Sequence, residues 1–175
     1  MRVPVVAVLV AAALAAGCST DVEKPDPAAV SEAADVGWSP CDGLDAAAVG
    51  RLAGQEMTEQ NGTTDQPRCA FTPVRDGGPA FDVNYVWFDG GLDEAWRTMG
   101  DVAGDVSTIR VPGADAARLV VHARPPAVLV SGFVQTGGLV QSVNAVQLRP
   151  YDEQRVVTAT RELMAALVRA APRRP

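Results

Sequence analysis

The side chains with the most direct chemistry in this 175-residue chain are three cysteines and one histidine. Cys18 closes the run Leu14-Ala15-Ala16-Gly17-Cys18, behind the cationic start Met1-Arg2 and an apolar stretch, Val3 to Ala16, broken only by Pro4. This order of cationic start, short apolar run and small residues ending in Cys marks a thiol for diacylglyceryl transfer once the chain is cleaved before it. One position departs from the usual pattern: Ala15 stands three before the Cys, where Leu is common, and Leu14 one place earlier. An ordinary secretory signal cleaved near Ala16 is the alternative. The apolar run holds 14 residues, short of the roughly 20 that span a bilayer.

Export places Cys41 and Cys69 in an oxidising compartment, where the two remaining thiols pair. The pair falls short of a structural zinc set, because His122 is the only imidazole, and there is no C-x-x-C for redox exchange. His122 alternates with Leu119 and Val121, the pattern of a strand residue facing solvent rather than of a general base. Asp89, Asp93 and Glu94 cluster at a turn and helix start, where carboxylates cap unpaired backbone N–H groups; they lack the alternating spacing of a calcium loop. Gly77-Gly78 and Gly90-Gly91 lack the third glycine of a dinucleotide-binding turn and read as turns. Nucleophile elbows, phosphate-cradling loops and serine-lysine pairs are absent from the sequence, so no catalytic, cofactor-binding or metal-ligating residue is assigned.

Charge narrows the partners further. Removal of residues 1–17 takes away Arg2 and no acid, so the formal charge moves from −6 to −7, which excludes nucleic acid as a partner. The basic group Arg169, Arg173 and Arg174 sits at the C-terminus, where it complements a helix dipole. Residues 18–36 are rich in Asp, Glu, Pro, Ala and Ser without apolar periodicity, the composition of a disordered tether. Residues 37–172 then remain as one domain.

The elements that must position these residues follow from local patterns. Asp45, between Leu44 and Val49, predicts a capped short helix over 46–53 that ends at Gly54. Residues 56–67, including Asn61-Gly62-Thr63, read as a polar loop. Strands are expected over 69–74, 81–87, 109–111, 119–123, 128–135 and 139–148, separated by Pro/Gly turns that favour antiparallel pairing. Leu92, Ala95, Trp96, Met99 and Ala103, with Asp93 as cap, predict a middle helix. Asp152 caps a long C-terminal helix with Val156, Ala159, Leu163, Met164, Leu167 and Val168 on one face. The expected fold is α+β: an antiparallel sheet of about six strands, packed by a short N-terminal, a middle and a long C-terminal helix. Among the few aromatics, Trp87 and Trp96 are expected in the core, with Trp87 and Phe88 pointing oppositely, and Trp38 at the surface.

Pro40-Cys41-x-x-Leu44, the Ala-rich helix, the polar loop and Cys69-x-Phe71 resemble the LprB/LprC-like actinobacterial lipoproteins of unknown function. In that family the aromatic after the second Cys is commonly Trp, where this chain has Phe71, and Gly43 and Asp45 replace the more usual Leu and Thr. The resemblance implies an envelope location and a disulfide-stapled α+β domain similar to the PsbP and Mog type. It supplies no catalytic residues.

Together these features lead to an expectation: a lipid-anchored protein on the extracytoplasmic face of the cell membrane, whose non-enzymatic domain acts through contacts with an envelope protein. An alternative is a carrier or sensor of a small apolar ligand or lipid, held between sheet and helices, because Ala, Val and Leu greatly outnumber large aromatics. A third is a hydrolase whose catalytic residues are dispersed and brought together only by folding; replacement of His122 without any phenotype would count against it. Each lipid methylene in the bilayer contributes about 0.8 kcal/mol, so Cys18→Ser should move the protein from the membrane to the soluble fraction; persistence in the membrane fraction would contradict lipid attachment.

Overall fold

Short-range signals set the helices. The Asp45 carboxylate accepts from the Ala48 N–H at 2.6 Å and starts α1 (Ala46–Ala53), which Gly54 ends in a left-handed conformation (φ 74°) that favours glycine. The Asp152 carboxylate accepts from the Arg155 N–H at 3.1 Å and starts α3 (Glu153–Ala170). In the computed structural model, which describes residues 39–63 and 65–172, a short 3₁₀ turn (Pro40–Gly43) precedes α1. The signal sequence 1–17, Cys18, the segment 18–36, Trp38, Arg173 and Arg174 lie outside the described residues.

Seven strands form one antiparallel sheet: β1 (Met57–Thr63), β2 (Gln66–Pro73), β3 (Ala80–Trp87), β4 (Asp105–Thr108), β5 (Ala116–Arg124), β6 (Ala127–Thr136) and β7 (Leu139–Leu148). Their order is β1-β2-β3-β7-β6-β5-β4, so the hairpin β6–β7 and its neighbours β3 and β5 make the centre. The middle helix, α2 (Gly91–Met99), links β3 to β4. The architecture is α+β as expected, with one strand more than expected.

Two stretches differ from their sequence reading. The polar segment 56–67 is not a loop: most of it forms edge strand β1 and the start of β2, paired from Met57↔Pro73 to Thr63↔Gln66. Only Met57 of β1 is buried, so the apolar alternation that marks a strand is missing, and pairing with β2 supplies the order. The fourth strand is Asp105–Thr108 rather than 109–111. Its four residues are all exposed, whereas Val111, read as strand, tucks inward from the following loop. The middle helix also ends at Met99, before Ala103, and its cap is Gly90 with no side-chain bond, so Asp93 does not cap it.

The sheet has two unequal faces. On one lie Val83, Val128, Val130, Val134 and Val143, all fully buried, against Val156, Leu163, Met164 and Leu167 of α3. Gly132 is part of this contact: a Cβ there would collide with the Met164 side chain, so the central strand and α3 approach more closely than side chains allow. The Cys41–Cys69 disulfide joins the 3₁₀ turn to β2 on the same side, closing a separation of 28 residues with both cysteines buried. On the chain-entropy model that closure contributes about 3 to 4 kcal/mol. Replacing both cysteines with Ser should therefore lower Tm by about 10 °C or more, and an unchanged melting curve would contradict this role. Gly132→Leu should cost about 1 to 3 kcal/mol through overpacking, read as a lower denaturation midpoint with an unchanged slope.

Candidate open sheet face

The other face carries the alternate residues of the same strands, and α2 covers only its upper part. Leu92, fully buried, and Trp96 turn toward the sheet. Trp96 meets Phe133 edge-to-face with ring centroids 5.4 Å apart, and the Arg118 guanidinium lies 4.7 Å over the Trp96 ring. Arg118 also pairs with Asp93 at 2.9 Å, and the Gln135 side-chain oxygen accepts the Leu92 N–H at 2.8 Å. The acidic cluster is thus drawn to arginines: Asp93 to Arg118 and Glu94 to Arg97, while Asp89 is exposed in the preceding turn.

Below α2 the face is open to solvent among the described residues. Register alignment puts Ala80, Val146, Leu129 and His122 in one cross-strand row, and Leu148, Ala127 and Arg124 in the next. Leu129, Val146, Leu148, Val86 and Val106 are between 41% and 64% exposed. All five project from this side, leaving Val74 and Met99 as the other exposed large apolar residues among those described. A groove of about 510 Å³ runs here, lined by Ala70, Ala80, Leu129 and Val146 with Arg68, Asp82, Ser131 and Asn144. Its polar members are locked together: Arg68 pairs with Asp82 at 2.6 Å, Asn84 donates to Asp82, and the Ser131 hydroxyl bonds the Asn144 side chain at 2.8 Å.

β7 inverts the usual arrangement. Gln141 and Gln147 point to the buried side, while Val146 and Leu148 point to water. Gln147 is explained, since its amide donates to the Gly77 carbonyl at 2.8 Å and to that of Pro150 at 3.3 Å, tying down the β2–β3 loop. The amide of Gln141 is fully buried and has no hydrogen-bond partner. Burying amides while exposing branched aliphatics lowers stability, so folding alone does not account for the apolar side chains on the open face.

His122 stands half-buried on this face, opposite Leu129, as a strand residue in a row of apolar neighbours. Trp87 and Phe88 are both half-buried at the end of β3, and the Phe88 N–H donates to Gly138. Cys41, Cys69 and the Glu59 carboxylate lie within 4.8 Å of one another, but the disulfide takes both sulfurs out of the set of metal donors. What the open face can do chemically is bind: it offers a two-row apolar surface with a neutralised polar margin. The sequence carried a signal for it in the Val146 and Leu148 alternation, but period alone does not say which side a helix will cover.

No helix among the described residues is long and apolar enough to cross a membrane. No family model, curated protein or solved structure matches this chain.

If the open face is free of folding duties, Leu129→Ser should change stability by less than about 1 kcal/mol. Its strand neighbour Val130, fully buried toward α3, should cost about 2 to 4 kcal/mol as Val130→Ser. Equal losses for the two variants in chemical denaturation would show that the faces are not distinct.

Proposed function

We propose that this chain is an envelope lipoprotein whose domain is a non-enzymatic binding module, acting through protein contacts made by the open sheet face. The observation that carries the reading is the collection of Leu129, Val146, Leu148, Val86 and Val106 on the one side of the sheet that α3 does not cover. Exposed apolar surface gathered on one face marks a contact site, while single exposed residues scattered over a protein do not. The signal ending at Cys18, the acidic tether and the resemblance to LprB/LprC-like lipoproteins support attachment to the extracytoplasmic face of the cell membrane. The lack of catalytic motifs in the sequence supports a binding role.

The alternative of an apolar ligand held between sheet and helices draws less support. Residues of α3 and the central strands fill that layer, with Met164 against the bare backbone of Gly132.

The full-length protein, recovered from detergent-solubilised envelopes, should bring down a reproducible protein partner. Leu129→Asp combined with Val146→Asp should abolish recovery, while Arg161→Asp on the exposed side of α3 should leave it intact. Recovery unaffected by the double variant would contradict the assignment of this face.

A further inference from the structure

The lower half of the open face shows what kind of protein segment it takes, because the chain already fills the upper half with one of its own. In α2, buried Leu92 and half-buried Trp96 stand four residues apart, and Trp96 packs edge-to-face on Phe133. Asp93, on the flank of that stripe, reaches the β5 arginine Arg118. The same strand continues along the same face through Val120 and His122 to Arg124. Below the part covered by α2, past the polar row of Ser131 and Asn144, the face is apolar again as Leu129, Val146, Ala127 and Leu148. The elements of the α2 seat, an aliphatic floor with an arginine on the β5 margin, are therefore repeated without an occupant among the described residues.

Charge selects the occupant. The strands place one carboxylate on this face, Asp82, and it is already held by Arg68 and Asn84. Arg118 is held by Asp93. Arg124 is exposed and is not paired with any carboxylate among the described residues. The margin of this face is thus neutralised except at Arg124, a single cation on a chain of formal charge −6. A second copy apposed through this face would set Arg124 against a like charge with no carboxylate to receive it, which Coulomb repulsion disfavours, whereas a carboxylate brought to Arg124 is attracted at contact distance.

We infer that the partner engages this face with an acidic amphipathic helix, its apolar stripe on the Leu129–Val146–Leu148 floor and a carboxylate on Arg124, in the manner of α2 and Asp93. This inference rests on the docking role proposed above and adds the chemistry of the docked segment. Helix-in-groove recognition of this type is read as apolar anchors at three- and four-residue spacing, and rim charges set its rate and salt dependence.

The test uses the full-length lipoprotein in the envelope of the bacterium that encodes it, with a benzophenone amino acid in place of Leu129 and, separately, of Leu148. Irradiation should yield one protein product, and mass spectrometry should place the crosslink in a peptide with apolar residues three or four apart and flanking Asp or Glu. Arg124→Glu should reduce the crosslink yield by roughly an order of magnitude, and Arg124→Lys should largely restore it. The exposed side chain of Arg124 makes both variants compatible with folding, which an unchanged Tm verifies. A crosslinked peptide without acidic residues, a product between two copies of this chain, a lipid or glycan adduct, or a yield indifferent to Arg124→Glu would overturn the acidic helix. Absence of any product from both positions would overturn the docking role itself.

Discussion

An 18-residue helix and a seven-stranded sheet do not match in area, and much else in the molecule follows from that mismatch. α3 is about 27 Å long and about 10 Å wide, while the sheet spans roughly 29 Å across its strands, and its longest strands run to more than 30 Å. One such helix, with α1 and the disulfide-bound 3₁₀ turn beside it, covers one face. The other receives only the nine-residue α2, about 14 Å long. Part of that face must then meet water, and the residues found there decide whether it is a passive exterior or a working surface.

A passive exterior on an antiparallel sheet carries polar residues in alternation with apolar ones on the core side. The middle of this face conforms, with Ser131, Ser142, Asn84 and Asn144. The lower rows do not: Leu129, Val146 and Leu148 stand outward while Gln147 is turned in, and higher on the same strand Gln141, opposite Val134, is turned in as well. Gln147 is repaid by its bonds to Gly77 and Pro150, but Gln141 has no partner, and nothing in the packing requires Leu148 to be apolar. Local departures from the fold's own logic of this sort concentrate where a protein does something besides fold.

Much of the fold was legible in the sequence, and the limits have physical causes. Asp45 with Leu44 and Val49, and Asp152 with its apolar stripe, are local signals that act within one helical turn, and α1 and α3 begin where they indicate. The interior strands β3, β6 and β7 are marked by their own apolar content. β1 and β4 are not, because an edge strand with one buried residue or none is held by its neighbour's backbone rather than by its own side chains. Asp93 illustrates the same limit in the site: its position in the first turn of α2 suggests a cap, yet its partner is Arg118, 25 residues away and on another strand. The open face was the least legible element. Alternation in β7 separates two sets of side chains, but only the seating of α3 on Gly132 decides which set is covered.

The claim on which the account stands is that the lower open face is covered by a partner in the cell. Carbene footprinting of the full-length protein in intact envelopes, compared with the isolated domain 37–175, measures this directly. The account predicts that Leu129, Val146 and Leu148 label strongly in the isolated domain and are protected in the envelope, while Arg161, exposed on α3 at the other face, labels equally in both. Equal labelling of Leu129, Val146 and Leu148 in the two states would contradict it.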